Sequence, residues 1–495
     1  MSSRRSETAM LALALAFGAA TAQAQGGQQA PPSSKAVVMK GNAPVNEKVL
    51  DVKLPKPKEG DLPNGIHLIV LEDHRAPQVS FQLLIPGAGG YFDAPSSVGL
   101  ASVTAAMMRE GTATRSTTAI SEALETMSAN VGIGTAMTSL DATVSGSALT
   151  EDIDKLFDLS SDILLNPSFP DEELAKYKAR TKTGLNQNRS ISGFLVQELY
   201  QKAMYGDDAA GRLLMTPDQL DHVTRDQMVE FHRTKYVPDH AAIAFAGDIS
   251  YDRARKLVES RLGGWKKSGA PLLAANDPPA AGSAKVWLVD RPNSVQTSFI
   301  VGTQAIERTN PDYDALQVMN QVVGGGPTGR LFVHLREEKG YTYGAYSGLN
   351  AGRYRGTWFA STDVRSDVTE AALRDLLGEL VAIRDTVVPA KELQDRKRAL
   401  VASFALSLES PQQMLNYYIT RWIYRLPADY WDKYPQRVMA ISAGQVQTVA
   451  KKYLDPSRMQ IVAVGDGKKV EEILRKFGPL QMYDTEGKKV MGIIP

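Results

Sequence analysis

The chain contains one unit written twice, and that repetition limits its possible folds more than any single motif does. Val79-Ser80-Phe81 returns as Thr297-Ser298-Phe299, 218 residues further on, each triplet inside an apolar, strand-like run. Thr224-x-x-Gln227 and Ser442-x-x-Gln445 repeat at the same offset. A hydroxyl three residues before a glutamine predicts a helix start, because each side chain can satisfy a backbone N–H that the first turn leaves unpaired. Each such helix then ends in Lys-Tyr (Lys235-Tyr236; Lys452-Tyr453, one residue out of step). A short apolar run follows and closes in Gly-Asp (Gly247-Asp248; Gly465-Asp466), back at 218.

Hydrophobic periodicity fills in the unit. In the first half, Ile66–Leu71, Val79–Ile85 and the alternating Ala136–Ala148 read as strands. Ser97–Met108, Ile120–Ala129, Ile153–Leu165 and Asp171–Asn188 read as helices. In the second half, Lys285–Val289, Ser298–Val301, Tyr341–Leu349 and Trp358–Asp363 are strand candidates, with long helices over Val368–Ile383 and Ala390–Leu408. The expected class is α+β, a duplicated unit of strands, helices and a closing strand and helix. A soft stretch with Pro271, Pro278, Pro279 and Gly282 divides the halves. The expected domains are therefore 50–265 and 285–492, with a linker over 266–284.

The N-terminus predicts export. Arg4 and Arg5, an apolar run from Ala9 to about Ala20 and Ala22-Gln23-Ala24 form a secretory signal over 1–24, cut after Ala24, with a flexible leader over 25–49. The expected location is the periplasm. That run is too short to span a bilayer and no later segment reaches about 18 uninterrupted apolar residues, so stable membrane insertion is not expected. Lys plus Arg (56) and Asp plus Glu (55) nearly cancel, which leaves no field to attract nucleic acid. Cysteine is absent, which removes disulfides, thiol catalysis and thiolate metal sites.

Pro86-Gly87-Ala88-Gly89, Val98-Gly99-Leu100-Ala101 and Glu110-Gly111-Thr112 together resemble the entry to the catalytic helix of the pitrilysin/insulinase zinc peptidases. In that family Gly-Leu-Ala precedes His-x-x-Glu-His, whose histidines hold zinc from one helical face while the glutamate works on bound water. The resemblance puts those three positions at Ser102, Ala105 and Ala106, and the third ligand, a glutamate, at Thr183 or Gly184. None of these side chains can ligate zinc in the required way. The six histidines, His67, His74, His222, His232, His240 and His334, include no pair three to five residues apart. No metal and no cofactor is therefore expected on this chain.

The second half keeps a signature. Val323 to Ser347 contains Gly324-Gly325-Gly326, Arg330-Leu331, Leu335-Arg336-Glu337 and Gly340-x-x-Tyr343. No Gly-Lys-Ser/Thr follows the glycines, so they are not a phosphate loop, and a sharp turn between two helices is expected there. The segment resembles the second-domain signature of the same family, in which an arginine and a tyrosine seven residues apart reach the substrate; here they fall on Arg336 and Tyr343. A guanidinium can hold a carbonyl or carboxylate, and a phenol can donate to an oxyanion.

The resemblance covers about residues 50–490 and implies two mostly antiparallel sheets packed with helices, forming half of a clamshell around a peptide. It also implies a division of labour. This chain would be the non-catalytic, substrate-binding subunit of a heterodimeric exported zinc metallopeptidase, inactive alone. A homologous partner would bring the zinc and bind the peptide as an added strand, with Arg336 and Tyr343 completing its site. The alternatives are a structural or assembly subunit, or a stand-alone peptide-binding protein, with no role in proteolysis.

Overall fold

The computed structural model describes residues 52–490, and the expected signal and leader lie outside the described residues. The two halves build two sheets. The first contains β1 (Lys58–Asp61), β2 (His67–Glu72), β3 (Gln78–Pro86), β4 (Asn130–Gly134), β5 (Asp141–Leu149) and β6 (Ala242–Gly247), in the order β1-β2-β6-β3-β5-β4. The second contains β7 (Lys285–Asp290), β8 (Gln296–Gln304), β9 (Thr342–Asn350), β10 (Thr357–Arg365), β11 (Gln460–Gly465), β12 (Leu480–Tyr483) and β13 (Lys489–Val490), in the order β13-β12-β7-β11-β8-β10-β9. Pairing is mostly antiparallel; β2 with β6, and β7 with both β11 and β12, are the parallel pairs.

The 218-residue offset survives in the register. His67 lies opposite Ala242 in the first sheet, and Lys285 opposite Gln460 in the second. Phe81 faces Phe245, and Phe299 faces Ala463. Both helix starts read from sequence form as reciprocal caps. Gln227 N–H donates to Thr224 Oγ1 (3.3 Å) while Thr224 N–H donates to the Gln227 amide (2.9 Å), and Ser442 and Gln445 do the same.

One strand begins later than its alternation suggests. Residues 136–140 form a turn, because Thr135 and Ser139 hydroxyls both donate to the Asp141 carbonyl (2.8 Å each) and offer the backbone a partner other than a neighbouring strand. The linker has no regular structure but is held to both halves. Ser268 and Gly269 N–H groups donate to Asp239, Tyr91 donates to the Asn276 carbonyl, and the Gln304 side chain bonds Pro279 and Ala281.

Each half covers its own helix-side core, one centred on Phe81, Phe157 and Phe245 and the other on Leu316, Trp358 and Leu376. The opposite face of each sheet is covered by a helix from the other half. Ser192–Tyr205 packs on β7, β8 and β11, with Leu195, Leu199 and Tyr200 against Val289, Ile300 and Val462. Pro411–Ile423 packs on β3 and β6, with Met414, Leu415 and Tyr418 against Ile69, Leu84 and Ala244. Polar contacts fix both crossings. Tyr200 donates to the Trp358 carbonyl (3.2 Å), Gln412 donates to Gln82 (2.7 Å), and Arg421 pairs with Glu59.

Candidate functional site

The first half's relevant helix is Leu100–Met107. Its entry is built by Gly99, whose φ of 95° a side chain would strain, and by Asp93, whose carboxylate accepts from Gly99 N–H (2.9 Å) and Ala101 N–H (3.1 Å). Burial pushes the Asp93 carboxyl up to about 6, against the opposing pull of those two N–H donors. Arg212 bonds the same residue's carbonyl at 2.7 Å.

Ser102 spends its hydroxyl on the Thr135 carbonyl (3.1 Å) and lies against the Met137 sulfur. Ala105 is completely buried and Ala106 half-buried. The helix packs against Asp171–Asn188 and Arg225–Lys235. On the former, Thr183 and Gly184 are exposed, and the Thr183 hydroxyl is bonded back to the Ala179 carbonyl (3.1 Å). These positions offer hydroxyl groups and hydrogen or methyl where a zinc ion needs imidazole and carboxylate, so the residues present do not fit the metal. No group of three or more His, Cys, Asp or Glu that could hold a metal ion occurs among the described residues. His67 and His74 bond carboxylates, and the half-buried His232 bonds the Leu164 carbonyl.

The second half presents the arginine and tyrosine. The expected sharp turn follows helix Tyr313–Val323, where Gly324 and Gly325 N–H groups both donate to the Asn320 carbonyl (2.9 Å each). Glycine is required at 324 by crowding, since a Cβ there would sit 2.7 Å from the Ser347 backbone nitrogen. The next helix, beginning at Arg330, widens into a π-helical turn over Val333–Glu338. Such turns are uncommon and need anchoring. Three contacts supply it: Arg330 makes a two-pronged pair with Glu392 (2.8 Å each), His334 bonds Glu379 (2.8 Å), and Leu335 is fully buried.

Arg336 lies on the outside of that turn, about a third exposed, with its guanidinium 4.7 Å from the Phe332 ring centre and 4.9 Å from that of Tyr343. Cation–π contact with both rings holds it in place. Glu337, 3.5 Å away, is its ion-pair neighbour. Tyr343 is 89% exposed and sits on β9, the outer strand of the second sheet. The structure therefore brings Arg336 and Tyr343 together on the second half, while Ser102, Ala105 and Ala106 lie on a helix of the first half.

The sequence reading did not identify Asp93, the exchanged helices, or a half-buried pair between Asp141 and Arg353 (2.5 Å) that joins the halves. One signal existed: Ser192 and Ser410, at the starts of the exchanged helices, are also 218 apart.

Comparison with known proteins yields one family. Residues 68–218 match the model described as insulinase (peptidase family M16), and residues 222–400 match that described as peptidase M16 inactive domain. The chain is 25% identical over 355 residues to "Uncharacterized zinc protease YmxG" of Bacillus subtilis, covering 71% of this chain and 85% of that one. It is 22% identical over 412 residues to "Non-peptidase homolog YmxG" of Helicobacter pylori, covering 82% and 93%. A solved structure of a peptidase M16 inactive domain from Pseudomonas fluorescens superposes with a TM-score of 0.77 at 26% identity, over 83% of this chain and 98% of that one.

Proposed function

Because the chain belongs to the M16 (insulinase) peptidase family and yet offers no group fit for the family's zinc among the described residues, we propose that it is the substrate-binding, non-catalytic subunit of a heterodimeric exported metallopeptidase. The observation that carries this reading is the Arg336–Tyr343 pair. A tyrosine 89% exposed on an edge strand, with an arginine held 4.9 Å from its ring, contributes nothing to the core of this chain. It is the arrangement expected of groups that act on something outside the chain. In the assembly, Arg336 donates to a carbonyl or carboxylate of the bound peptide and Tyr343 donates to the oxygen on which negative charge develops. The zinc and the hydrolytic water belong to the homologous partner.

The printed name of the Bacillus subtilis relative, a zinc protease, supports the peptidase context, and that of the Helicobacter pylori relative supports loss of activity in a chain of this kind. Export to the periplasm rests on the signal over 1–24, and a mature N-terminus at Gln25 in the periplasmic fraction is the expected finding. The central test combines this chain with a zinc-bearing M16 chain that binds it, and measures metal content and peptide cleavage. The chain alone is expected to hold no stoichiometric zinc. Arg336→Ala together with Tyr343→Phe should lower cleavage by the complex by about a hundredfold or more, the usual cost of losing transition-state donors. Unchanged cleavage with normal assembly would favour a subunit without part in proteolysis, the reading closest to the name "non-peptidase homolog".

A further inference from the structure

We propose that the cleft between the halves, at the Tyr205 end of the exchanged helix Ser192–Tyr205, is a binding site for an organic cation, a primary ammonium or a guanidinium group. The cleft encloses about 570 Å³, within the range of small-molecule sites. Its walls come from both halves: the turn ending at Asp141, the β9–β10 hairpin carrying Arg353 and Tyr354, the exchanged helix with Gln201 and Tyr205, and Tyr424.

The polar groups on these walls are unbalanced. Asp141 Oδ2 accepts from Arg353 at 2.5 Å, but its Oδ1 is buried and makes no hydrogen bond, and neither does the buried Gln201 Oε1. Buried acceptors left without a donor each cost about 1–3 kcal/mol, so a chain retains two beside one cavity at a price unless something supplies the donors. Both residues border the cleft, so a donor from outside reaches them there, with a rotation of the carboxylate and the amide. The hydroxyls of Tyr205 and Tyr354 do not redress the balance. Tyr205 and Tyr354 donate to the Arg355 and Thr138 carbonyls (3.2 and 3.0 Å), which leaves their rings as walls. Burial pushes the Tyr354 phenol up to about 12, so the ring stays neutral.

These features select the ligand's chemistry. A carboxylate oxygen, an amide oxygen and aromatic rings favour a group with several N–H donors and a positive charge. The one cation on the wall, Arg353, is already engaged. A bare metal ion is disfavoured, because two protein oxygens are too few ligands and Asp141 is the single His, Cys, Asp or Glu on the cleft wall. An anion would meet two lone-pair-bearing oxygens and be repelled. The same chemistry is presented by a lysine or arginine side chain of a peptide and by a free amine. The site stands on this chain alone and does not depend on a partner.

The test is calorimetric titration of the full chain with n-butylammonium, with n-butylguanidinium, and with a capped peptide carrying one lysine alongside its norleucine counterpart. Saturable binding of either small cation is expected, weakened about tenfold or more in Gln201→Met and in Asp141→Asn, the loss that follows removal of a charge-assisted hydrogen bond. Binding of the lysine peptide but not the norleucine peptide identifies a peptide side chain as the natural ligand; binding of the small cations without the lysine peptide identifies a free amine. Absence of saturable binding, equal binding by Gln201→Met, or equal binding of the two peptides would overturn the proposal. Because Gln201 Oε1 is buried without a donor, Gln201→Met removes that cost and should fold with a melting temperature equal to or above that of the wild type. A failure to fold would show that the amide is satisfied within the chain, and would overturn it as well.

Discussion

Leu415→Ala should destabilise both sheets, although Leu415 touches only one of them. Leu415 is fully buried on the exchanged helix Pro411–Ile423, in the cluster formed with Ile69, Leu71, Leu84, Ala244 and Ala246 of the first sheet. Removing the isobutyl group leaves a cavity between a helix and a sheet that relax little, a change that costs about 2–5 kcal/mol. That corresponds to an increase of about thirtyfold to several thousandfold in the opening equilibrium. If the first sheet opens, it releases the linked helix Ser192–Tyr205 from the second, and Val289, Ile300, Val462 and Val464 lose their cover. The reverse holds for the other helix. The halves are therefore expected to open as one unit, and amide hydrogen exchange read by mass spectrometry checks this. The slowest amides of β3 and β6 and those of β8 and β11 should lose protection by the same free energy. Loss confined to β3 and β6, with β8 and β11 unchanged, would refute the claim that exchange of helices makes the halves one cooperative structure.

Two further outcomes follow from particular residues. The Asp93 carboxyl is raised from 3.8 in the unfolded chain to about 6 in the folded one, so the folded state holds the proton more tightly. Its contribution to stability is fully present below about pH 4 and is lost as pH rises through about 6, a loss of at most about 3 kcal/mol. Denaturant unfolding of wild type and Asp93→Asn across that interval should give a stability difference that moves in the variant's favour with rising pH; a difference independent of pH would contradict the assignment. Gly324→Ala would place its Cβ 2.7 Å from the Ser347 nitrogen, whose N–H donates to the Gly324 carbonyl (2.8 Å). Overpacking against backbone costs about 1–3 kcal/mol, so a lowered melting temperature is expected, and an unchanged one would mean that the turn can shift away from β9.

Much of this architecture was legible in the sequence because it depends on local or repeated information. Capping boxes at Thr224 and Ser442 need only three residues of spacing, and both form. The 218-residue offset fixed in advance that Phe81 and Phe299 would occupy equivalent strands, since side-chain period two allows no slip of register without turning the core outward. Ser102, Ala105 and Ala106, where the resemblance puts the zinc motif, carry no imidazole or carboxylate whatever the fold.

The cross-over of the halves was not legible. Ser192–Tyr205 and Pro411–Ile423 carry apolar stripes that any sheet could cover, and amphipathicity specifies a buried face without naming the surface that buries it. The pairing of Asp141 with Arg353 across more than two hundred residues, the rise of the Asp93 carboxyl and the unpaired oxygen of Gln201 are likewise consequences of which segments meet. Repetition, caps and ligand chemistry reside in the order of residues along the chain. Desolvation, partnership and shared cores exist only once distant segments have displaced water from one another, so the tertiary structure alone decided them.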